Sequence, residues 1–313
     1  MRRSRIRPLA AQIVANRRMT IGLVLAGGVV CLVLVGPLLI SSDPLMQHLG
    51  FLLRPPDSRF RFGTDEFGRD IFIRVLYGGR VSLIVGAVAV PVGATIGVLL
   101  GIIAGYYGRR LDVLIMRPTE VVLAAPAIIL GIALSSINGQ GLLSIVIAIA
   151  IYNIPVFARL ARAGAVGVVN REYVQAAVTM GARDREIIRE HVFPNIVAPL
   201  VVQFGISFGV AIIIEAGLSY LGLGVQPPDP SWGSMLAYGQ TYLSLAPWYA
   251  FFPGLLMVML VLGVNLMADG LRDVLDPRSV SRFQRRRGTF ADPTYSEMLT
   301  TGLPEQGADT RLG

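Results

Sequence analysis

The sequence contains no lysine, because all 28 of its basic residues are arginine. A phosphate-binding loop of the Walker type and Schiff-base chemistry both need a lysine, so this chain can have neither. Its one cysteine, Cys31, cannot form an internal disulfide, and its two histidines, His48 and His191, lie far apart without metal-ligand spacing. The sequence therefore predicts no catalytic residue, no metal site and no cofactor in this chain.

Charge is also scarce. Only 15% of the 313 residues are charged, whereas 53% are hydrophobic and the mean hydropathy is +0.62. This composition excludes a soluble protein and indicates an integral membrane protein. The net charge of +8 does not predict nucleic-acid binding, because the arginines flank apolar runs instead of forming one basic face. Their placement fits contact with anionic membrane lipids.

Uncharged runs of about 20 residues can cross the hydrocarbon core as helices. One run, 121–158, would be about 57 Å long as a single helix, so it must hold two spans. We predict the break at 138–141, where glycine and polar amides favour a turn. The sequence thus predicts an all-α membrane protein with six transmembrane helices: 20–40, 81–104, two within 121–158, 196–224 and 248–268.

Arginine is distributed unevenly between the predicted connections. If the N-terminus is cytoplasmic, 22 arginines lie in cytoplasmic segments and six outside, all six within 41–80. The positive-inside rule then places both termini in the cytoplasm. The predicted organisation is a basic N-terminus (1–19), a first transmembrane helix (20–40), an extracytoplasmic loop with an interfacial helix (41–80), a core of five transmembrane helices (81–268), and a cytoplasmic tail (269–313) that is disordered after about residue 288.

The second predicted span has glycine at every fourth position. Gly93, Gly97, Gly101 and Gly105 would lie on one side of a helix, where they allow another backbone to approach closely. We predict that this side packs against a neighbouring helix.

The cytoplasmic segment 170–195 contains two short helical patterns separated by Gly181, which is a natural end for a helix. The second pattern opens at Asp184 and is predicted to stop at Pro194. A ridge of apolar residues that belongs to no span favours docking of a partner over a solvated connecting loop. The ridge consists of Val174, Ala177, Val178 and Met180.

This segment resembles the coupling loop of ABC importer permeases, which sits in a cleft of the ATPase subunit. The resemblance rests on Ala176 and Ala177, Gly181 and Pro194 thirteen residues later, although Gln175 stands where the general motif has glutamate. Other motifs resemble the dipeptide/oligopeptide/nickel permease family, specifically its C-type membrane subunit, over about residues 1–280. These motifs are 62–70, 80–83, 104–108, 215–224, 227–233 and 270–278.

The resemblance implies a type I ABC importer permease fold with cytoplasmic coupling helices, in the cytoplasmic membrane of a prokaryote. It implies import of di- or oligopeptides by one half of a heterodimeric pore. The implied partners are a second homologous permease subunit, two cytoplasmic ATP-binding subunits that hydrolyse ATP, and an extracytoplasmic substrate-binding protein. The implied ATPase-coupling residues are Gln175, Ala176, Ala177, Gly181 and Pro194, with Glu172 as the acidic contact one turn before Gln175.

Two further stretches of the sequence can each be interpreted in two ways. Apolar residues at helical spacing predict an interfacial helix over 63–79, capped by Thr64 or Asp65. This helix is either an ordinary amphipathic helix or a contact for the delivery protein. Glu215, near the outer end of the fifth span, either holds the glycine-rich turn 218–224 through hydrogen bonds, which we favour, or belongs to the pore or a gate.

Two alternatives to a peptide importer remain open. One is a permease of the same family for nickel or another small solute. The other is a self-sufficient secondary transporter or channel, which is expected to carry pairs of ionisable residues within the membrane. Only Glu215 has that position in this sequence.

Overall fold

The structure is a computed structural model that describes residues 16–40 and 42–275. Within these ranges the secondary structure is helical apart from one isolated bridge between Thr64 and Asp70. The predicted all-α class is confirmed. The helices are α1 (Arg17–Leu39), α2 (Ile71–Tyr107), α3 (Arg109–Ala124), α4 (Ala127–Asn138), α5 (Leu142–Val169), α6 (Glu172–Thr179), α7 (Asp184–Ile187), α8 (Phe193–Tyr220), α9 (Trp232–Thr241) and α10 (Trp248–Leu275), with a π-helical turn at Ile188–Val192.

Five helical runs are long and apolar enough to cross a membrane: α1, α2, α5, the run from α7 through α8, and α10. The pair α3 and α4 is bent by 92° and provides a sixth span if it crosses as one unit. The predicted break at 138–141 is confirmed, since Gly139 and Gly141 have positive φ angles between α4 and α5. A second break was not predicted. It lies at Ala125, which is extended because Pro126 follows it.

Helix α2 is 37 residues long, or about 55 Å, and begins well before the predicted second span. The side chain of Asp70 caps it by accepting the N–H of Phe72 at 2.8 Å. Burial raises the pKa of the Asp70 carboxyl, and backbone N–H groups at the helix start partly offset that rise. We call the end of the bundle where α2 begins the upper end, and the end where α2 finishes the lower end.

The prediction of an interfacial helix over 63–79 is therefore wrong. Neither Thr64 nor Asp65 is a helix cap, and residues from Ile71 onward belong to α2. The chain before Asp70 is held in turns, with Gly63 and Gly68 at positive φ, so the helix cannot begin earlier. The predicted boundary between residues 80 and 81 consequently falls inside a helix.

The four regularly spaced glycines of α2 lie against α5. A methyl group added to any of them would sit far too close to a carbonyl oxygen of that helix, so only glycine permits this approach. The distances would be 2.5 Å for Gly93 to Ala150, 2.4 Å for Gly97 to Ile154, 2.3 Å for Gly101 to Ala158 and 2.7 Å for Gly105 to Arg162.

The second short helix does not stop at Pro194, as the sequence predicted, but continues through it into α8. The π-helical turn at Ile188–Val192 widens the backbone, and the N–H of Phe193 reaches back to the carbonyl of Ile188. Pro194 then falls in the first turn of α8, where a missing N–H costs little.

The last helix, α10, extends to Leu275, so the predicted boundary between residues 268 and 269 also lies inside a helix. It packs closely on α1, because a methyl group on Gly22 would lie 2.6 Å from the carbonyl oxygen of Gly263. Of the described residues, 16–40 and 42–272 belong to one compact unit and 273–275 to a second. The basic stretch 1–15 and the predicted disorder after residue 288 lie outside the described residues.

Candidate functional site

The candidate coupling segment, residues 170–195, lies at the lower end of the bundle and contains α6, α7 and the π-helical turn. Gly181 ends α6 with a φ of +84°, a conformation that glycine adopts without strain. Its N–H donates to the carbonyl of Val178 at 3.0 Å, and the N–H of Ala182 donates to Ala177 at 3.1 Å. This pair of bonds is a Schellman motif, which satisfies carbonyls at the end of α6.

The apolar ridge predicted for docking is divided between two faces, so the prediction of one continuous ridge is wrong. Val174 and Ala177 are both buried, and Val174 belongs to the same apolar cluster as Ile187. Val178 and Met180 point outward and are 50% and 81% exposed. The reason is the helical period: residues three apart share the inner face, and the residues between them face away. Only the outer face of α6 is therefore free to contact another protein.

Gln175, Ala176 and Glu172 are exposed on α6, and Pro194 is exposed at the start of α8. The side-chain amide of Gln175 donates to the carbonyl of Val169, at the end of α5, at 2.9 Å. A glutamate at this position would offer no donor to that carbonyl. Gln175 thus links α6 to α5, a role that the family motif did not predict.

Two side-chain contacts at the lower end were not predicted from the sequence. The hydroxyl of Tyr106, in the last turn of α2, donates to the carboxylate of Asp184, the first residue of α7, at 2.8 Å. The ring of Tyr173 meets the ring of His191 edge-on at 5.8 Å. Tyr106 and Asp184 are 78 positions apart in the chain, so no local pattern could reveal their contact.

Glu215 is fully buried in α8 near the upper end. One carboxylate oxygen accepts the hydroxyl of Ser82, in α2, at 2.6 Å, and the other accepts the hydroxyl of Ser219 at 2.8 Å. Ser219 is itself in close contact with the turn after α8, because a methyl group on Gly224 would lie 2.0 Å from its hydroxyl oxygen. Both oxygens of the carboxylate thus accept hydrogen bonds within the protein, and one of the two donors, Ser219, touches the glycine-rich turn.

A charged cavity of about 450 Å³ lies at the lower end between α3 and α5. The guanidinium of Arg162 forms two hydrogen bonds with the carboxylate of Asp112, one of them at 2.5 Å. Arg117, Glu120 and Arg159 complete the charged lining. From the sequence, only the arginines of this group contributed to a prediction, which was the membrane orientation of the chain.

A second charged cluster ties the upper end together. The Asp65 carboxylate accepts the Nε–H of Arg69 at 2.6 Å, and the Nε of Arg74 lies 3.4 Å from the same oxygen. Arg74 also donates to the carbonyls of Pro44 and Pro228, at 3.2 and 3.3 Å. The cluster therefore joins the loop before α2, the start of α2 and the loop before α9. We call these joined parts the upper platform.

The comparisons with known proteins agree with this architecture. Residues 97–281 match the model of the family described as "Binding-protein-dependent transport system inner membrane component". The chain belongs to this family. This permease is 43% identical over 270 residues to the dipeptide transport system permease protein DppC of Alkalihalophilus pseudofirmus, a match that covers 86% of the permease and 89% of that protein. It is also 41% identical to the probable D,D-dipeptide transport system permease protein DdpC of Escherichia coli, with 79% and 83% of the two chains covered.

The fold has a counterpart among solved structures. The permease superimposes on a chain of the MetNI methionine ABC transporter in an inward-facing conformation with a TM-score of 0.53 at 20% identity, covering 64% of the permease and 95% of that chain. The expected type I ABC importer permease fold is thereby confirmed. The chain is a multi-pass membrane permease subunit of an ABC importer, a family whose members work with ATPase and substrate-binding partners. Among residues 16–40 and 42–275, no group of three or more His, Cys, Asp or Glu side chains could hold a metal ion.

Proposed function

We propose that this permease imports di- or oligopeptides as one half of a heterodimeric pore. The printed names of its relatives, which include dipeptide, D,D-dipeptide and glutathione transport systems, support a peptide substrate. Two cytoplasmic ATPases supply the energy, and the permease itself hydrolyses no ATP because it has no lysine with which to build a phosphate loop. The lower end faces the cytoplasm, and the upper platform faces the binding protein.

The observation that carries this proposal is the construction of the coupling segment. One face of α6 is buried in the bundle through Val174 and Ala177, while Val178 and Met180 are exposed on the other face. A short helix that is fixed to the transmembrane core on one side and presents apolar side chains among polar ones on its free side suits insertion into a cleft of a partner. Motion of that cleft would be passed to the spans as rigid-body movement.

Replacement of the exposed apolar residues tests the coupling role. We expect Val178→Ser with Met180→Ser to weaken co-purification of the ATPases and to abolish uptake, because the exposed apolar contact is lost. The buried face of α6 is unchanged, so the fold should be retained. Met46→Ser is the matched control, since Met46 is 57% exposed at the upper end and should not contact an ATPase. Normal ATPase attachment in the double variant would refute the proposed role of the segment.

The substrate is tested separately from the coupling. The complete complex, with both permease subunits, both ATPases and the binding protein, is reconstituted in proteoliposomes. We expect ATP-dependent uptake of radiolabelled alanylalanine that excess unlabelled dipeptide suppresses and nickel ion does not. ATP-dependent uptake of nickel without uptake of the dipeptide would favour the small-solute permease instead.

A further inference from the structure

The coupling segment is attached to α2 as well as to the helices that precede and follow it in the chain. The segment follows α5 and leads into α8, so its covalent connections involve only those two spans. It is also joined to α2 by the hydrogen bond from the Tyr106 hydroxyl to the Asp184 carboxylate. The two elements also share a buried apolar cluster, which contains Ile102 of α2 together with Val174 and Ile187 of the segment.

These two kinds of contact have different mechanical consequences. Apolar packing is non-directional, so it resists separation of two surfaces more strongly than it resists sliding. A hydrogen bond to a charged carboxylate is directional and loses strength steeply with distance and angle. The bond between Tyr106 and Asp184 therefore fixes the position of α7 along the end of α2.

The other end of α2 is fixed to the upper platform. Arg74, in its first turn, bonds to the two loops of the platform, the one before α2 and the one before α9. The indole N–H of Trp232, the first residue of α9, donates to the carbonyl of Val75 at 2.8 Å. Gly79 of α2 lies directly against the Trp232 ring, where a methyl group would be 2.6 Å away. One continuous helix thus joins the upper platform to the coupling segment.

We infer that α2 transmits movement between the upper platform and the ATPase contact, and that Tyr106 is the positioning residue at its lower end. The inference rests on the proposed coupling role of residues 170–195. Docking of the binding protein at the platform displaces α2, and the bond to Asp184 passes that displacement to α7. Without the bond, α2 slides past α7, and the signal reaches the ATPases only through weaker contacts.

The test uses the complete complex in nanodiscs, with ATP hydrolysis measured before and after addition of binding protein loaded with alanylalanine. In Tyr106→Phe we expect normal thermal stability, ATPase attachment and basal hydrolysis, with stimulation by the binding protein reduced about tenfold, as loss of one charge-assisted hydrogen bond would give. Asp184→Ala should reduce the stimulation to a similar extent, and the stimulation of the double variant should be no lower than that of either single one, since all three remove the same bond. Asp184→Asn keeps an acceptor oxygen and should restore most of the stimulation.

Tyr77→Phe is the matched control, because Tyr77 lies on α2 far from the coupling segment. Full stimulation of Tyr106→Phe would overturn the inference and leave the coupling role of the segment intact. Loss of ATPase attachment in Tyr106→Phe would also overturn it, because the bond would then only shape the segment. Absence of stimulation in the unaltered complex would refute the proposed function itself, and with it the inference.

Discussion

At the scale of single residues, Glu215 is the least expected group in the molecule, because a carboxylate within an apolar helix is costly unless it is paired or hydrogen-bonded. The structure supplies hydroxyl donors to both of its oxygens, from Ser82 and Ser219. These two serines belong to different spans, so the carboxylate joins α2 to α8. We propose that Glu215 has a structural role and does not contact substrate.

Substitution of Glu215 separates the structural role from a transport role. Glu215→Gln keeps an acceptor and a polar partner for both serines, so we expect normal assembly and nearly normal uptake. Glu215→Leu leaves the serine hydroxyls without their acceptor, and we expect the complex to lose about 1–3 kcal/mol of stability. Thermal unfolding and uptake of alanylalanine are measured on both variants. Loss of uptake in Glu215→Gln at unchanged thermal stability would instead assign Glu215 to the pore or a gate.

At the scale of helices, the contact between α2 and α5 depends on the absence of side chains. Gly101→Ala would place a methyl group 2.3 Å from the carbonyl oxygen of Ala158. Because neither backbone can move without disturbing the adjacent glycine contacts, we expect a loss of about 1–3 kcal/mol, as in other overpacked interiors. The measurement is thermal unfolding of the purified chain in detergent.

Gly28→Ala in α1 is the control for this substitution, because nothing lies within 4 Å of the added methyl group. Alanine has the higher helix propensity, so this variant should be unchanged or slightly more stable, by up to about 1 kcal/mol. Equal unfolding temperatures for the two variants would show that the glycines of α2 are not required for packing.

The turn between α6 and α7 gives an element-scale test of the coupling segment. Gly181 has a φ of +84°, which a β-branched residue adopts only with strain. We expect Gly181→Val to distort the Schellman motif and move the exposed face of α6, so that the ATPases bind weakly and uptake stops while the chain still inserts. Gly222→Val, at a φ of +78° near the upper end, controls for turn strain as such. Equal ATPase binding by the two variants would contradict the coupling role of this turn.

The helices show which features could be predicted from the sequence. Local signals were sufficient for the turn at 138–141, the end of α6 at Gly181 and the spans themselves, because each depends on neighbouring residues. The predicted start of the helix was wrong because Thr64 and Asp65 also have the chemistry of a cap. Only the folded loop shows that Asp70 performs that role. The predicted helix end at Pro194 was wrong because a π-helical turn lets the helix continue, and we recognised no sequence signature for that turn.

Contacts between distant parts of the chain could not be predicted at all. The contact between Tyr106 and Asp184 spans 78 positions of the chain, and the contact between Arg162 and Asp112 spans 50. A side chain at either position is ordinary until the folded helices bring the two together. The coupling residues could be named only through resemblance to a family, and the structure adds which of their faces is free.

At the scale of the whole molecule, the membrane orientation decides whether the coupling segment can reach cytoplasmic ATPases. It is inferred from the arginine distribution, with 22 arginines on the proposed cytoplasmic side and six on the other. The six on the upper side are partly neutralised by acidic neighbours, as in the pairs of Arg69 with Asp65 and Arg54 with Asp57.

Cysteine labelling tests this orientation directly, because Cys31 is the only cysteine and can be replaced by alanine. Into that background we introduce Ser58→Cys at the upper end or Thr179→Cys at the lower end, both at exposed positions. In intact spheroplasts, a membrane-impermeant maleimide should label the first variant and not the second, because the lower end faces the cytoplasm. After the membrane is opened, both should react, which shows that Thr179→Cys is accessible in the folded chain. Labelling of Thr179→Cys alone in intact spheroplasts would show that the orientation is the reverse of the one proposed. The coupling segment could then not contact ATPases inside the cell.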